Sequence, residues 1–99
     1  MAYKSKFQDE ETELLFSAIL SLETKEECYR FFEDVCTVGE MKAIAQRFYV
    51  AKLLSEHCTY QEIEQRTKTS AATISRINRC LKYGADGYKN TIAKLHAMR

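Results

Sequence analysis

The stretch Thr59 to Tyr83, TYQEIEQRTKTSAATISRINRCLKY, decides the fold. Thr59 followed three residues later by Glu62 is a capping box, in which a hydroxyl and a carboxylate each satisfy an amide that a helix start leaves without a partner. A helix is predicted from Tyr60 to near Thr67. Lys68 and Thr69 then make a turn, and Ser70 is a good N-cap for a second helix over residues 71–83. Ile63, Ile74, Ile77 and Leu81 fall where two short helices pack on each other, while Ala72, Ser75, Arg76, Arg79 and Tyr83 project from the far side of the second. Two helices around a tight turn, the second exposed and lined by small and basic side chains, form a helix-turn-helix (residues 59–83) whose outer face suits the major groove of DNA.

Working outward, the same helical signals recur. The 99 residues include no proline and three glycines, Gly39, Gly84 and Gly87, all lying between helical patterns. Residues 1–8 are expected to be a flexible arm, with a single domain over residues 9–99. Asp9 caps a helix to about Leu22 with Leu14, Leu15, Ala18, Ile19 and Leu22 on one side. Thr24 with Glu27 opens a second, carrying Cys28, Phe31, Phe32 and Val35 inward with Tyr29 beside them. Thr37 with Glu40 opens the longest helix, about Val38 to His57, with Met41, Ile44, Ala45, Phe48, Ala51, Leu54 and Cys58 inward. After the motif, Gly84 is expected at the C′ position and Asp86 as the cap of a last helix through Ile92, Leu95 and Met98. The total is six helices and no strand.

Formal net charge is only +1, but its distribution is uneven. Residues 1–58 carry 11 acids and 7 bases, whereas residues 59–99 carry 3 acids and 8 bases, so the halves differ as −4 against +5. The positive charge sits where the motif sits, which is the electrostatic footprint expected for a polyanion. Cys28, Cys36, Cys58 and Cys80 contain no CxxC pair and the histidines are only His57 and His96, so neither a zinc site nor a disulfide framework fits. Reduced thiols used mostly as small apolar residues are expected, and no metal. No signal peptide and no apolar run long enough to cross a bilayer is present, so the expectation is a soluble, cytoplasmic, nucleoid-associated protein without membrane contact. A glycine-rich phosphate loop, metal-spaced ligands and a nucleophile elbow are all lacking, which argues against an enzyme. The helices before the motif hold more large apolar residues than a shell around one small unit needs. That surplus points to a second copy of the chain.

Phosphate contacts are assigned to Gln61, Lys68, Arg79 and Lys82, with the first amides near Ala71 adding helix-terminus donors. Base edges would be met by Ala71, Ala72, Thr73, Ser75 and Arg76, mostly through methyl groups and bridging waters.

The string Thr73-Ile74-Ser75-Arg76-Ile77-Asn78-Arg79-Cys80-Leu81-Lys82, the helix count and the motif's place near the C-terminus resemble the Trp repressor superfamily, and more closely its YerC/YecD branch. The resemblance covers about Asp9 to Met98. It implies an intertwined all-α homodimer that represses transcription by binding a two-fold operator in double-stranded DNA. It also implies a candidate effector site at Thr37, Arg47 and Arg76, where two arginines would clamp an anionic or aromatic corepressor. In place of the glycine of tryptophan-binding members the chain has Ile77, a branched side chain that argues against L-tryptophan. Glu64 and Lys68 also depart from common helix-turn-helix patterns, placing Glu64 at the rim and requiring Lys68 to take positive φ or the turn to change shape. The competing reading is a protein-interaction module of the same fold that has lost DNA binding, for which +5 in the motif's half has no use.

Overall fold

The computed structural model describes residues 3–98, and among them it holds six α-helices and no strand. These are α1 (Glu10–Leu20), α2 (Lys25–Val35), α3 (Val38–Ser55), α4 (Tyr60–Thr67), α5 (Ala71–Tyr83) and α6 (Gly87–Ala97). The six expected helices are thus present in order. Residues 1 and 2 of the expected arm, and Arg99, lie outside the described residues.

The chain divides into two compact units, one to Val38 and one from Gly39. In the first, the Asp9 carboxylate accepts the Thr12 amide at 2.7 Å and starts α1, which stops two residues short of the expected Leu22. Thr24 Oγ1 accepts the Glu27 amide at 3.1 Å, but the Glu27 carboxylate accepts from Glu23 at 3.0 Å rather than from Thr24, so the box closes one residue early. Phe31 and Phe32 meet edge to face, ring centres 5.2 Å apart, and are half-buried. No residue of α1 or α2 is fully buried. Cys28 and Val35, expected inward, are exposed, as are Leu14 (74%) and Leu20 (85%).

The second unit holds the core: Val50, Ala51, Leu53, Ile63, Ile74, Ile77 and Ile92, with Phe48, Leu54, Cys58, Leu81 and Tyr88 packed against it. The buried part of α3 is its last third, Val50, Ala51 and Leu53. This corrects the expected inward stripe: Ala51, Phe48 and Leu54 do face the core, but Ile44 and Ala45 are exposed. The physical reason is that α3 is apolar on more than one side, so a single periodic stripe cannot be picked out. The helix ends two residues before the expected His57, in a Schellman arrangement. His57 takes positive φ (67°), Cys58 N–H donates to Leu53 at 3.1 Å, and His57 N–H donates to Leu54 at 3.0 Å. Of the four thiols, Cys58 and Cys36 are half-buried, whereas Cys28 and Cys80 are exposed rather than core-like.

Two further expectations need correction at the α5–α6 corner. Gly84 is the C-cap itself, with φ −84°, not a left-handed C′ residue. Its need for glycine is steric, since a Cβ there would stand 2.4 Å from the Cys80 carbonyl oxygen. Asp86 occupies the N-cap of α6 but in the left-handed region (φ 67°) and makes no side-chain cap bond. In that backbone state the carboxylate is not aimed along the helix start as an extended N-cap would aim it.

Candidate nucleic-acid interface

α4 and α5 form the motif. The Thr59 capping box is complete: Thr59 Oγ1 accepts the Glu62 amide at 3.1 Å and the Glu62 carboxylate accepts the Thr59 amide at 2.7 Å. That backbone bond, supported by the Thr59 side chain, holds the Glu62 carboxyl below its usual range. α4 ends on Lys68, which adopts the left-handed region at φ 58°, ψ 27° without being glycine. Glu64 is half-buried, at the rim.

Ser70, extended, starts α5 by accepting the Thr73 amide at 3.3 Å. Ile63 and Ile74 are fully enclosed (0% exposed), and Ile77 joins them in the core with Leu81 packed alongside. With the apolar seam turned inward, α5 presents the rest of its surface to solvent. Ala71, Ala72, Ser75, Arg76, Arg79 and Lys82 are exposed and Thr73 is half-buried; Gln61 on α4 and Lys68 in the turn are exposed as well. α5 contains no acid and three bases, so its outer face is uniformly positive. Its first turn carries the positive end of the helix dipole with no carboxylate to offset it. At rest Arg76 leans back along the helix, its Nη2 donating to Thr73 Oγ1 at 3.4 Å, at the long end of a hydrogen bond.

Sequence reasoning missed the braces behind this face. Asn78 Nδ2 donates to the Tyr60 hydroxyl at 3.2 Å, tying α5 to the start of α4. Arg66 Nη2 donates to the Tyr49 hydroxyl at 3.1 Å, tying α4 to α3. These pairs lie 17 and 18 residues apart, beyond any local pattern.

Of the candidate effector residues, Arg47 on α3 and Arg76 on α5 belong to the second unit and Thr37 to the first; all three are exposed. Arg47 lies near enough to Tyr88 to oppose the upward shift that burial and Cys80 impose on its hydroxyl. Ile77, next to Arg76, is committed to the core at 5% exposure. Among the described residues no three His, Cys, Asp or Glu side chains gather to hold a metal ion, and no helix is long and apolar enough to cross a membrane.

Comparison with known proteins bears on the same elements. A family model described as Trp repressor protein matches residues 10–96, spanning all six helices up to His96. The Bacillus subtilis (strain 168) protein YerC is 49% identical over 90 residues, covering 91% of this chain and 86% of YerC. Among solved structures, a TrpR-like protein from Eubacterium eligens ATCC 27750 superposes with a TM-score of 0.88 at 52% identity, covering 92% of this chain and 94% of that one. A candidate Trp repressor from Staphylococcus aureus gives a TM-score of 0.87 at 44% identity, covering 92% of this chain and 91% of that one.

Proposed function

The chain belongs to the Trp repressor family, and on that premise we propose that it is a DNA-binding transcriptional regulator, a repressor that grips a two-fold operator as a homodimer. The observation that carries this reading is α5 itself. Its apolar side, Ile74 and Ile77, is locked into the core with Ile63 of α4, and its acid-free side carries Arg76, Arg79 and Lys82 into solvent. A helix held this way offers a rigid positive rod narrow enough for the major groove. Nothing in the reading calls for catalysis, and the regulator would act on the nucleoid in the cytoplasm.

The second copy is supported by apolar surface outside the core. Leu14, Phe16, Leu20, Tyr29, Val35, Val38 and Ile44 are all exposed, more large apolar side chains than a monomer keeps in water without use. A two-fold pair would also set two α5 helices at the spacing of successive major grooves.

In this reading Arg47 and Arg76 are the residues through which an anionic effector would be held, and DNA binding does not depend on L-tryptophan because branched Ile77 stands beside Arg76. A salt-titrated mobility shift tests the DNA assignment. Arg76→Ala is expected to cost about 1–3 kcal/mol on the preferred duplex and to relax its sequence preference. Lys82→Ala should weaken all duplexes alike and lower the salt slope by about one. Both variants binding as wild type does would remove the assignment.

A further inference from the structure

We propose that Thr67 is the positioning residue that sets the reading helix α5 for base recognition, an inference that rests on the DNA-binding reading above. α4 ends at Thr67 and α5 begins at Ala71, so residues 68–70 carry the whole change of direction. The Thr67 hydroxyl lies 2.7 Å from the Ile63 carbonyl, 2.7 Å from Thr69 Oγ1 and 3.2 Å from the Thr69 amide nitrogen. A carbonyl can only accept, so the single Thr67 proton goes to Ile63. The Thr69 amide and hydroxyl must then be the donors to the two lone pairs that remain. Every hydrogen-bonding position of this one oxygen is occupied. From the other direction Gln46 Nε2, on α3, donates to the Thr67 backbone carbonyl at 3.0 Å. One residue therefore joins the end of α4, the entry to α5 and the middle of α3.

The arrangement solves a local problem. After Lys68 turns left-handed, the next amide, that of Thr69, goes to a side chain instead of a helix carbonyl. Thr69 is 5% exposed, the sole buried polar residue among those described, so its two donors have no water to turn to. Removing the Thr67 hydroxyl leaves both unsatisfied, and the turn must reshape to recover them. Ser70, Ala71, Ala72 and Thr73 follow directly, and these are the residues at the groove-facing end of α5. Base edges demand fixed positions, whereas attraction to phosphate depends on charge and tolerates displacement. Loss of the hydroxyl should therefore damage discrimination more than affinity for DNA in general.

The test uses the full chain and two probes: the duplex that the wild type enriches most from a random library, and a shuffled duplex of the same composition, both read by fluorescence anisotropy across a salt series. Thr67→Val is expected to bind the enriched duplex about tenfold more weakly, the equivalent of one mismatched base pair. Its binding to the shuffled duplex should stay within about twofold, with the salt slope unchanged. Thr67→Ser, which keeps the oxygen, should restore wild-type discrimination. If Thr67→Val does not fold, Gln46→Ala, at an exposed position, removes only the tether to the Thr67 carbonyl, and a smaller loss confined to the enriched duplex is expected. Equal loss on both duplexes, no loss on either, or a Thr67→Ser variant as impaired as the valine overturns the positioning role. A wild type that prefers no duplex overturns the DNA-binding reading with it, whereas a wild-type preference that the valine variant keeps overturns the positioning role alone.

Discussion

At Lys68 the demands of folding and of the proposed DNA binding pull in opposite directions. Its left-handed backbone (φ 58°) costs an L side chain about 1–2 kcal/mol, and a glycine there would recover that at the expense of about 0.5–1 kcal/mol of unfolded-chain freedom. Lys68→Gly is therefore expected to raise stability by about 0.5–1 kcal/mol in urea unfolding and at the same time to weaken DNA binding by deleting a cation beside the start of α5. A variant that is less stable than wild type would mean that the lysine stem packs on the turn. Glu62 carries a pH dependence. The Thr59 amide holds its folded-state pKa below the ordinary value, so its contribution is complete above the unfolded pKa, about 4.3. That contribution is lost as pH falls through the lowered folded value. Thermal melts from pH 6 down to about 3 should show acid destabilisation that is shallower in Glu62→Gln, which keeps the box but does not titrate. Identical slopes would show that the box does not depend on the charge. Asp9, also lowered by its bond from Thr12, acts with the same sign at α1. At this scale the sequence was legible at most of the helix starts. The caps at Asp9, Thr24, Thr59 and Ser70 follow from neighbours within four positions, whereas at Lys68 the sequence left a positive φ and a turn of different shape as alternatives, and the fold takes the first. The oxygen of Thr67 was not legible, because its partners include a turn geometry and a glutamine 21 residues away.

Between elements, the seam of α4 and α5 is the part that must not yield. Ile63 and Ile74 are fully enclosed in a core of seven buried apolar residues among those described, so Ile74→Ala should cost about 3 kcal/mol, within the range for large-to-small changes at sites that cannot collapse. In so small a core this is a large share of total stability. Chemical denaturation followed by circular dichroism checks it; a cost below about 1 kcal/mol would mean that the seam is not the support of α5. This seam was readable because Ile74, Ile77 and Leu81 repeat at helical spacing against an otherwise polar and basic helix. α3 was not. Its apolar residues run along two sides, and it is the tertiary packing that brings Val50, Ala51 and Leu53 to the core while Val38 and Ile44 remain in water. Asp86 misled for a related reason: an acid before a helix looks like a cap, yet its backbone lies in the left-handed region and its carboxylate caps nothing.

For the whole molecule, charge and apolar surface are divided by position along the chain. The half before Thr59 is net negative and displays Leu14, Leu20, Val35 and Val38 to solvent, while the half from Thr59 onward is net positive and exposes Arg76, Arg79 and Lys82 along α5. In the proposed homodimer the first surface would meet a second copy and the second would meet the polyanion. In such a dimer the two roles would be coupled, since the pairing of copies would set the distance between the two α5 helices. Selection of bound duplexes from a random library by the full chain measures both at once. The enriched sites are expected to be two-fold symmetric, with half-site centres one helical turn apart, about 10–10.5 base pairs, or a multiple of it. Enrichment of no sequence at all, or of a lone asymmetric site without a second half, would contradict the account.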